Sequence, residues 1–471
     1  MNSPDTTLAE SQPVKLYSAR WVVPIAAPQI EDGAVAVAGT RIVAVGTRDE
    51  LTAQYAESPC EDFGAAAIIP GLVNCHTHLE LTAMRGYLED VEGDFFAWLR
   101  KLTIARMMRM TADDLRVSAT WGAVEAVRAG VTCLGDAASY GDASIDALRE
   151  VGLRGIVYQE AINPDVRAAV EQLSKLRADV ARLRASESEL VRVGVSPHAP
   201  YTLSEPLLAG VADYARAENL PLMIHAAESA DEDELLKHGC GAFAESLAAR
   251  GIEWRSPRMS PVQYLSTRGV LSPQTLLAHC VRVDAHDIET IREACASVAH
   301  CPKSNLKLGH GRAPFAQMSE LRRGFGSDSV ASNNTCDLLE EARFATLLAR
   351  LHPHEARGEH SGEPNAEPYS AEHALADATR GGAHALGYEG QTGELVPGHE
   401  ADLAIVKLDG AHQIPVYDPS RALIFSSSAR DVALTLVAGR EVYRDGRVNT
   451  VDEEHLRARM TEIAQKVNGE W

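Results

Sequence analysis

Pro70-Gly71-Leu72-Val73-Asn74-Cys75-His76-Thr77-His78 is an apolar run that ends in two histidines one residue apart. Residues two apart on an extended strand face the same side, so His76 and His78 can offer both imidazoles to one ion. His-x-His also arises by chance, and a lone histidine on an apolar face is usually a core residue. The pair therefore needs partners elsewhere in the chain.

Three later runs supply them. Leu222-Met223-Ile224-His225 ends in histidine with Glu228 three residues on, Leu276-Leu277-Ala278-His279 repeats the pattern, and Gly324-Phe325-Gly326-Ser327-Asp328 ends in a carboxylate. Each stands where a buried strand would stop. In a closed barrel of parallel strands such stops share one rim, where catalytic residues collect.

The spacing predicts eight strands, at Ala67 to Asn74, Val131 to Gly135, Gly155 to Gln159, Val191 to Ser196, Leu222 to His225, Thr275 to His279, Ser297 to Cys301 and Gly324 to Asp328. Helical or mixed stretches separate them, and Ala112 to Gly130 and Arg167 to Leu183 have the spacing of outer-ring helices. This is an α/β pattern, and eight units favour a (β/α)8 TIM-type barrel. An open doubly wound sheet is the alternative, but no G-x-G-x-x-G follows an early strand.

Both chain ends have a different texture. Short β-like runs between Val14 and Leu51, spaced by turn residues, are matched near the other end by Ala401 to Val406 and Val432 to Tyr443. The two ends are expected to form one composite β-sandwich, giving residues 1–66 and 387–471 to it and 67–386 to the barrel. Leu456, Met460, Ile463 and Val467 share one face of a terminal helix. His352 to Glu367, rich in His, Glu, Gly and Pro, reads as a mobile surface loop. The apolar segment Met259 to Leu265 would serve an interface or cover the site.

Among the 471 residues, 45 Lys and Arg face 66 Asp and Glu, a formal charge of -21. Such a surface repels a polyphosphate, which excludes a nucleic acid polymer but not a neutral base or nucleoside. The eight cysteines form no C-x-x-C pair and read as reduced thiols. With no basic-then-apolar leader and no long apolar span, the expectation is a cytoplasmic protein without membrane attachment, and barrels of this size often form homo-oligomers.

The order and strand-end placement of these motifs, with Arg85-Gly86, Ser196 to Tyr201 and Asp328 to Asn334, resemble the amidohydrolase superfamily, in its branch of aromatic-amine deaminases and chlorohydrolases. The resemblance implies one divalent metal ion on His76, His78, His225 and Asp328. Three nitrogens and an oxygen suit Zn²⁺ and can also hold Fe²⁺ or Mn²⁺. A bound Zn²⁺ lowers the pKa of its water from near 16 to about 7, supplying hydroxide at neutral pH. By the same resemblance Asp328 also accepts the water's proton, Glu228 protonates a ring nitrogen, and His279 steadies charge on the attacking oxygen. Binuclear relatives place a lysine at the end of the fourth strand. No lysine lies between Glu189 and Tyr201, which points to a single ion and leaves His198 as a substrate contact or a turn cap.

His78-Leu79-Glu80, Gly93 to Leu99 and Ser327 to Asn333 look like the aminodeoxyfutalosine deaminases, and His198 with Ala331 to Asn334 overlaps the methylthioadenosine/S-adenosylhomocysteine deaminases. The expected substrate is thus an adenine-type nucleoside or related aromatic amine, with Glu80, Trp98, Ser332 and Asn333 among its contacts. Guanine-type deamination and dechlorination of a triazine are the alternatives. Adenosine-type enzymes usually carry a ribose-binding Glu soon after the Trp-Leu pair; here the chain reads Ile104-Ala105-Arg106-Met107-Met108. Arg106 is either a fork for a substrate carboxylate or a solvated helix arginine.

Overall fold

The computed structural model describes residues 13–351 and 368–469. The N-terminal strands β1 (Val14–Val22), β2 (Ile30–Ala38), β3 (Arg41–Thr47), β4 (Cys60–Asp62) and β5 (Ala66–Pro70) precede the barrel strands. These are β6 (Leu72–Thr77), β7 (Val131–Ala138), β8 (Arg154–Ala161), β9 (Val191–Pro197), β10 (Leu222–Ala226), β11 (Thr275–His279), β12 (Ser297–His300) and β13 (Arg322–Phe325). The chain ends with β14 (Leu403–Lys407), β15 (Val432–Val437), β16 (Arg440–Arg444) and β17 (Arg447–Val448).

Strands β6 to β13 pair in sequence order as one parallel sheet. The sheet curls until its ends meet at a bridge between Thr77 and Asp328, where the Asp328 amide donates to the His76 carbonyl at 2.9 Å. Cys75, Cys133, Ile156, Tyr158, Met223 and Leu276 fill the interior, so the barrel is a packed core with its functional rim at the strand C-termini. The remaining strands form one nine-stranded sheet in the order β17-β16-β15-β14-β5-β1-β2-β3, with β4 on β1. Both chain ends therefore share a sheet, as their texture predicts.

The run Ala67 to Asn74, read from sequence as one barrel strand, divides at Gly71. Its first half is β5, which pairs antiparallel with β14 and parallel with β1; its second half opens the barrel. Every residue of both halves is buried, so hydropathy shows no break. The break is backbone: a Cβ at Gly71 would lie 2.0 Å from the Thr132 hydroxyl oxygen, which only glycine avoids. Beneath the barrel, the buried Arg154 guanidinium donates to Asp402 at 2.8 Å and ties β8 to the composite sheet.

The outer helices Ala112–Arg128 and Ala169–Arg184 lie close to their expected spans. The terminal helix Glu453–Asn468 buries Leu456, Ile463 and Val467, while its Lys466 pairs with Asp114 at 2.9 Å. The segment read as an interface or cover includes the helix Pro261–Thr267, whose Pro261, Val262, Tyr264 and Leu265 are buried in the body. The His352 to Glu367 stretch lies outside the described residues. Among those described, all eight cysteines are free and no helix is long and apolar enough to cross a membrane.

Candidate active site

The barrel rim gathers the strand-end residues into one cluster. His76 and His78 come from the end of β6, His225 from β10, His279 from β11, and Asp328 sits three residues past β13 with a left-handed φ of 56°. His78 Nε2 lies 3.1 Å from His225 Nε2, and Asp328 Oδ1 is 3.4 Å from His76 Nε2 and 3.6 Å from His78 Nε2. His225 Nδ1 donates to the His198 carbonyl at 2.7 Å, which leaves its Nε2 bare and facing His78. Two imidazole nitrogens at that distance share either a proton or a cation. His76 Nε2 is buried without a hydrogen-bond partner in the same place. Both observations fit a divalent cation held by His76, His78, His225 and Asp328. Gly326 permits this packing, because a Cβ there would come within 2.8 Å of His76 Cβ.

The electrostatics agree with such a cluster. Burial holds the His76 imidazole down to about 4 and His225 well below its ordinary value. Burial acts on Asp328 in the opposite sense but is outweighed by His76, His279 and His78, which keep the carboxylate far below its usual range. Two hydroxyls seat its other oxygen: Ser304 donates to Oδ2 at 2.5 Å and Ser332 at 3.0 Å.

Beside the cluster, Glu228 Oε1 lies 3.6 Å from His279 Nε2 and 3.5 Å from His310 Nε2, with the Tyr201 hydroxyl 3.5 Å from Oε2. Burial would raise Glu228, but the two imidazoles outweigh it and hold the carboxyl below its ordinary value. His279 Nδ1 is engaged by Asn305 Oδ1 at 2.9 Å, so its Nε2 faces the site.

Above this floor opens a cavity of about 1080 Å³, lined at depth by His78, Glu80, Glu160, His198, Glu228 and Asp328. The helix Phe95–Arg109 gives it an apolar wall that includes Trp98, as expected. His198 also lines it, with Nδ1 tied to Thr202 at 3.0 Å, so it is both turn cap and cavity residue.

Three substrate expectations change. Arg106 lines the cavity with its Nη1 donating to Glu80 Oε1 at 3.1 Å. Glu80 lines the cavity, but the Ser139 and Tyr140 amides occupy its oxygens as well. Ser332 and Asn333 do not line the cavity. The short helix Val330–Asn333 turns Ser332 back under Asp328 and sends the Asn333 amide to Glu341 at 2.5 Å, so both support the site from behind. Sequence reasoning missed Glu160, Ser304, Asn305 and His310. Glu160 directly follows the predicted strand Gly155 to Gln159, so the strand-end rule that found the others would have reached it. Ser304 and Asn305 lie on the short helix Pro302–Lys307 after β12 and His310 in the loop beyond it, too short a stretch for periodicity to point inward.

Fold and rim together define a barrel hydrolase with a divalent metal site. Residues 67–442 match the amidohydrolase family, and residues 33–57 match an imidazolonepropionase-like composite domain of bacteria. A 5-methylthioadenosine/S-adenosylhomocysteine deaminase of Nitratidesulfovibrio vulgaris is 32% identical over 446 residues, 93% of each chain. A 5'-deoxyadenosine deaminase of Methanothermobacter thermautotrophicus is 31% identical over 445 residues, covering 93% of this chain and 96% of that one. Among solved structures, an adenosine deaminase from Xanthomonas campestris with bound zinc superposes with a TM-score of 0.82 at 27% identity, covering 97% of this chain and 99% of that one. The chain belongs to the amidohydrolase family, and the relatives just named are deaminases, hydrolases that act on carbon-nitrogen bonds.

Proposed function

We propose that this protein is a hydrolytic deaminase of adenine-type nucleosides that carry a 5′ substituent, with Zn²⁺ as its ion. The observation that carries the reading is Glu228, a buried carboxylate kept ionised between two imidazoles beside the cation cluster at the foot of a large cavity. Bound on His76, His78, His225 and Asp328, the ion would act as a Lewis acid that makes water reactive at neutral pH. Asp328, seated by Ser304 and Ser332, takes a proton from that water as its oxygen bonds to the ring carbon. Glu228, ionised at rest, accepts the water's other proton and passes it to the adjacent ring nitrogen; the proton held by Asp328 then goes to the departing amine, which leaves as ammonia. His279, oriented by Asn305, faces the charge that develops on oxygen.

A cavity of about 1080 Å³ leaves room beyond a purine for the ribose and its substituent. The relatives named as methylthioadenosine/S-adenosylhomocysteine and 5'-deoxyadenosine deaminases support that class. Aminodeoxyfutalosine, the expectation from the His78-Leu79-Glu80 motif, belongs to the same class. Arg106 lines the cavity with one nitrogen on Glu80, which leaves guanidinium donors for a substrate carboxylate.

The deciding experiment is ammonia release by the zinc-loaded protein from methylthioadenosine, S-adenosylhomocysteine, aminodeoxyfutalosine, adenosine, guanine and cytosine, with Glu228→Gln as blank. Preference for a 5′-substituted adenine nucleoside is the expected result. Chloride release from a chlorotriazine, with no ammonia from any nucleoside, would overturn it.

A further inference from the structure

Glu228 is aimed by a turn in an unusual conformation. Between His225 and Glu228 the chain leaves β10, and Ala227 takes a left-handed φ of 52°, a region that strains an ordinary side chain. Such a conformation persists only where its surroundings enforce it. On one side the Ala227 carbonyl accepts the amides of Val281 at 2.9 Å and Arg282 at 2.8 Å. Those residues follow His279 and Cys280, themselves left-handed at 76° and 47°. On the other side stands Glu232, which is wholly buried.

We propose that Glu232 is a positioning residue for catalysis, whose carboxyl clamps the backbone of the Ala227-Glu228 turn and so fixes where Glu228 points. Glu232 Oε2 accepts the Glu228 amide at 2.8 Å, and the Ala227 amide also faces it. Glu232 stands at the third position of the short helix Ala230–Asp233, capped by Ser229. From there a glutamate ordinarily reaches back to the cap residue's own amide. Here the reach is one residue longer and ends on the acid-base residue itself. A buried carboxyl is costly without a task, and an apolar side chain would fill the same space more cheaply. Its task is acceptance of the turn amides, which no hydrocarbon can perform.

The inference rests on the reading of Glu228 as the acid-base group. Its test compares Glu232→Gln, which keeps an acceptor oxygen, with Glu232→Leu, using kcat and KM for methylthioadenosine and aminodeoxyfutalosine at saturating zinc. Loss of a buried amide's partner and release of the strained turn should lower kcat roughly 10- to 100-fold in Glu232→Leu, with KM and zinc content little changed. Glu232→Gln should stay within about threefold of wild type, since its carbonyl replaces the acceptor. Hydrogen exchange across residues 222–236 gives a readout independent of turnover: protection of the Glu228 amide should fall in Glu232→Leu and persist in Glu232→Gln. Full kcat and unchanged protection in Glu232→Leu, or equal losses in both variants, would overturn the proposal. Wild-type turnover by Glu228→Gln would instead overturn the reading of Glu228 on which it rests.

Discussion

Replacing Ser304 by alanine should slow the enzyme without unfolding it. The Ser304 hydroxyl is completely buried and donates to Asp328 Oδ2 at 2.5 Å, while Ser332 donates to the same oxygen at 3.0 Å. The two hydroxyl oxygens lie 2.9 Å apart, so they seat the same carboxylate oxygen as a pair. A hydrogen bond to a charged group contributes about 1.5–3 kcal/mol. If that loss falls on the geometry of Asp328 in the transition state, kcat/KM drops roughly 10- to 100-fold. Removing one oxygen leaves only a small void, so the stability cost stays at the low end for core truncations, about 1 kcal/mol. Ser332→Ala alone should cost less, because its bond is longer. The double variant should lose more than the two singles combined, since Oδ2 then has no hydroxyl donor; couplings of about 0.5–3 kcal/mol are usual for such neighbours. The assay is steady-state ammonia release with zinc content measured on the same samples. A Ser304→Ala enzyme within twofold of wild type, or a deficit erased by added zinc, would refute the seat as a determinant of turnover.

Glu228→Gln should cut kcat by about 10²- to 10⁴-fold, the usual worth of a positioned acid-base group, with metal retained; a smaller change in stopped assays would count against its role. Chelation should abolish turnover and lower the melting temperature, because an ion that binds only the folded ligand set no longer stabilises it, and zinc should restore both. Burial raises the Glu341 carboxyl to about 8. Its stabilising contribution is present below the unfolded pKa near 4.5 and is lost as pH rises through about 8. Denaturant midpoints should therefore favour Glu341→Gln over wild type more at pH 8.5 than at pH 5. Asp402→Leu should leave the buried Arg154 guanidinium with only the looser Glu400 contact at 3.4 Å and cost up to about 3–5 kcal/mol, whereas pairing it with Arg154→Met should recover much of that in a double-mutant cycle.

The strand ends were legible because a buried strand must stop where its apolar run stops, and at His76, His78, His225 and His279 a polar residue marks that point. Asp328 was legible for the same reason, although β13 ends at Phe325 and the chain reaches the rim through a left-handed bend that hydropathy does not record. The Gly71 break stayed hidden because both halves are equally buried. Arg106 and Glu80 were assigned separate substrate roles, since residues on a helix and a strand-end loop share no period that would announce their pairing. Ser332 and Asn333 follow Asp328 by four and five residues, and whether they face the cavity or the core depends on one helical turn. Glu232 was invisible as a clamp, because its partner is a main-chain amide and any sequence supplies one.

The Asp328 amide bonds to the His76 carbonyl where the first and last barrel strands meet. The joint that seals the barrel therefore lies within the ion's own ligand set. During synthesis the chain can lay down β6 through β12, two histidines at their start and a third at β10, without completing the centre. Only the arrival of the last strand brings in the carboxylate and shuts the sheet, after the longest loop in the barrel has been closed. Completion of the centre thus requires closure of the barrel, and an ion bound there would act as a latch on the seam whose strands are farthest apart in sequence.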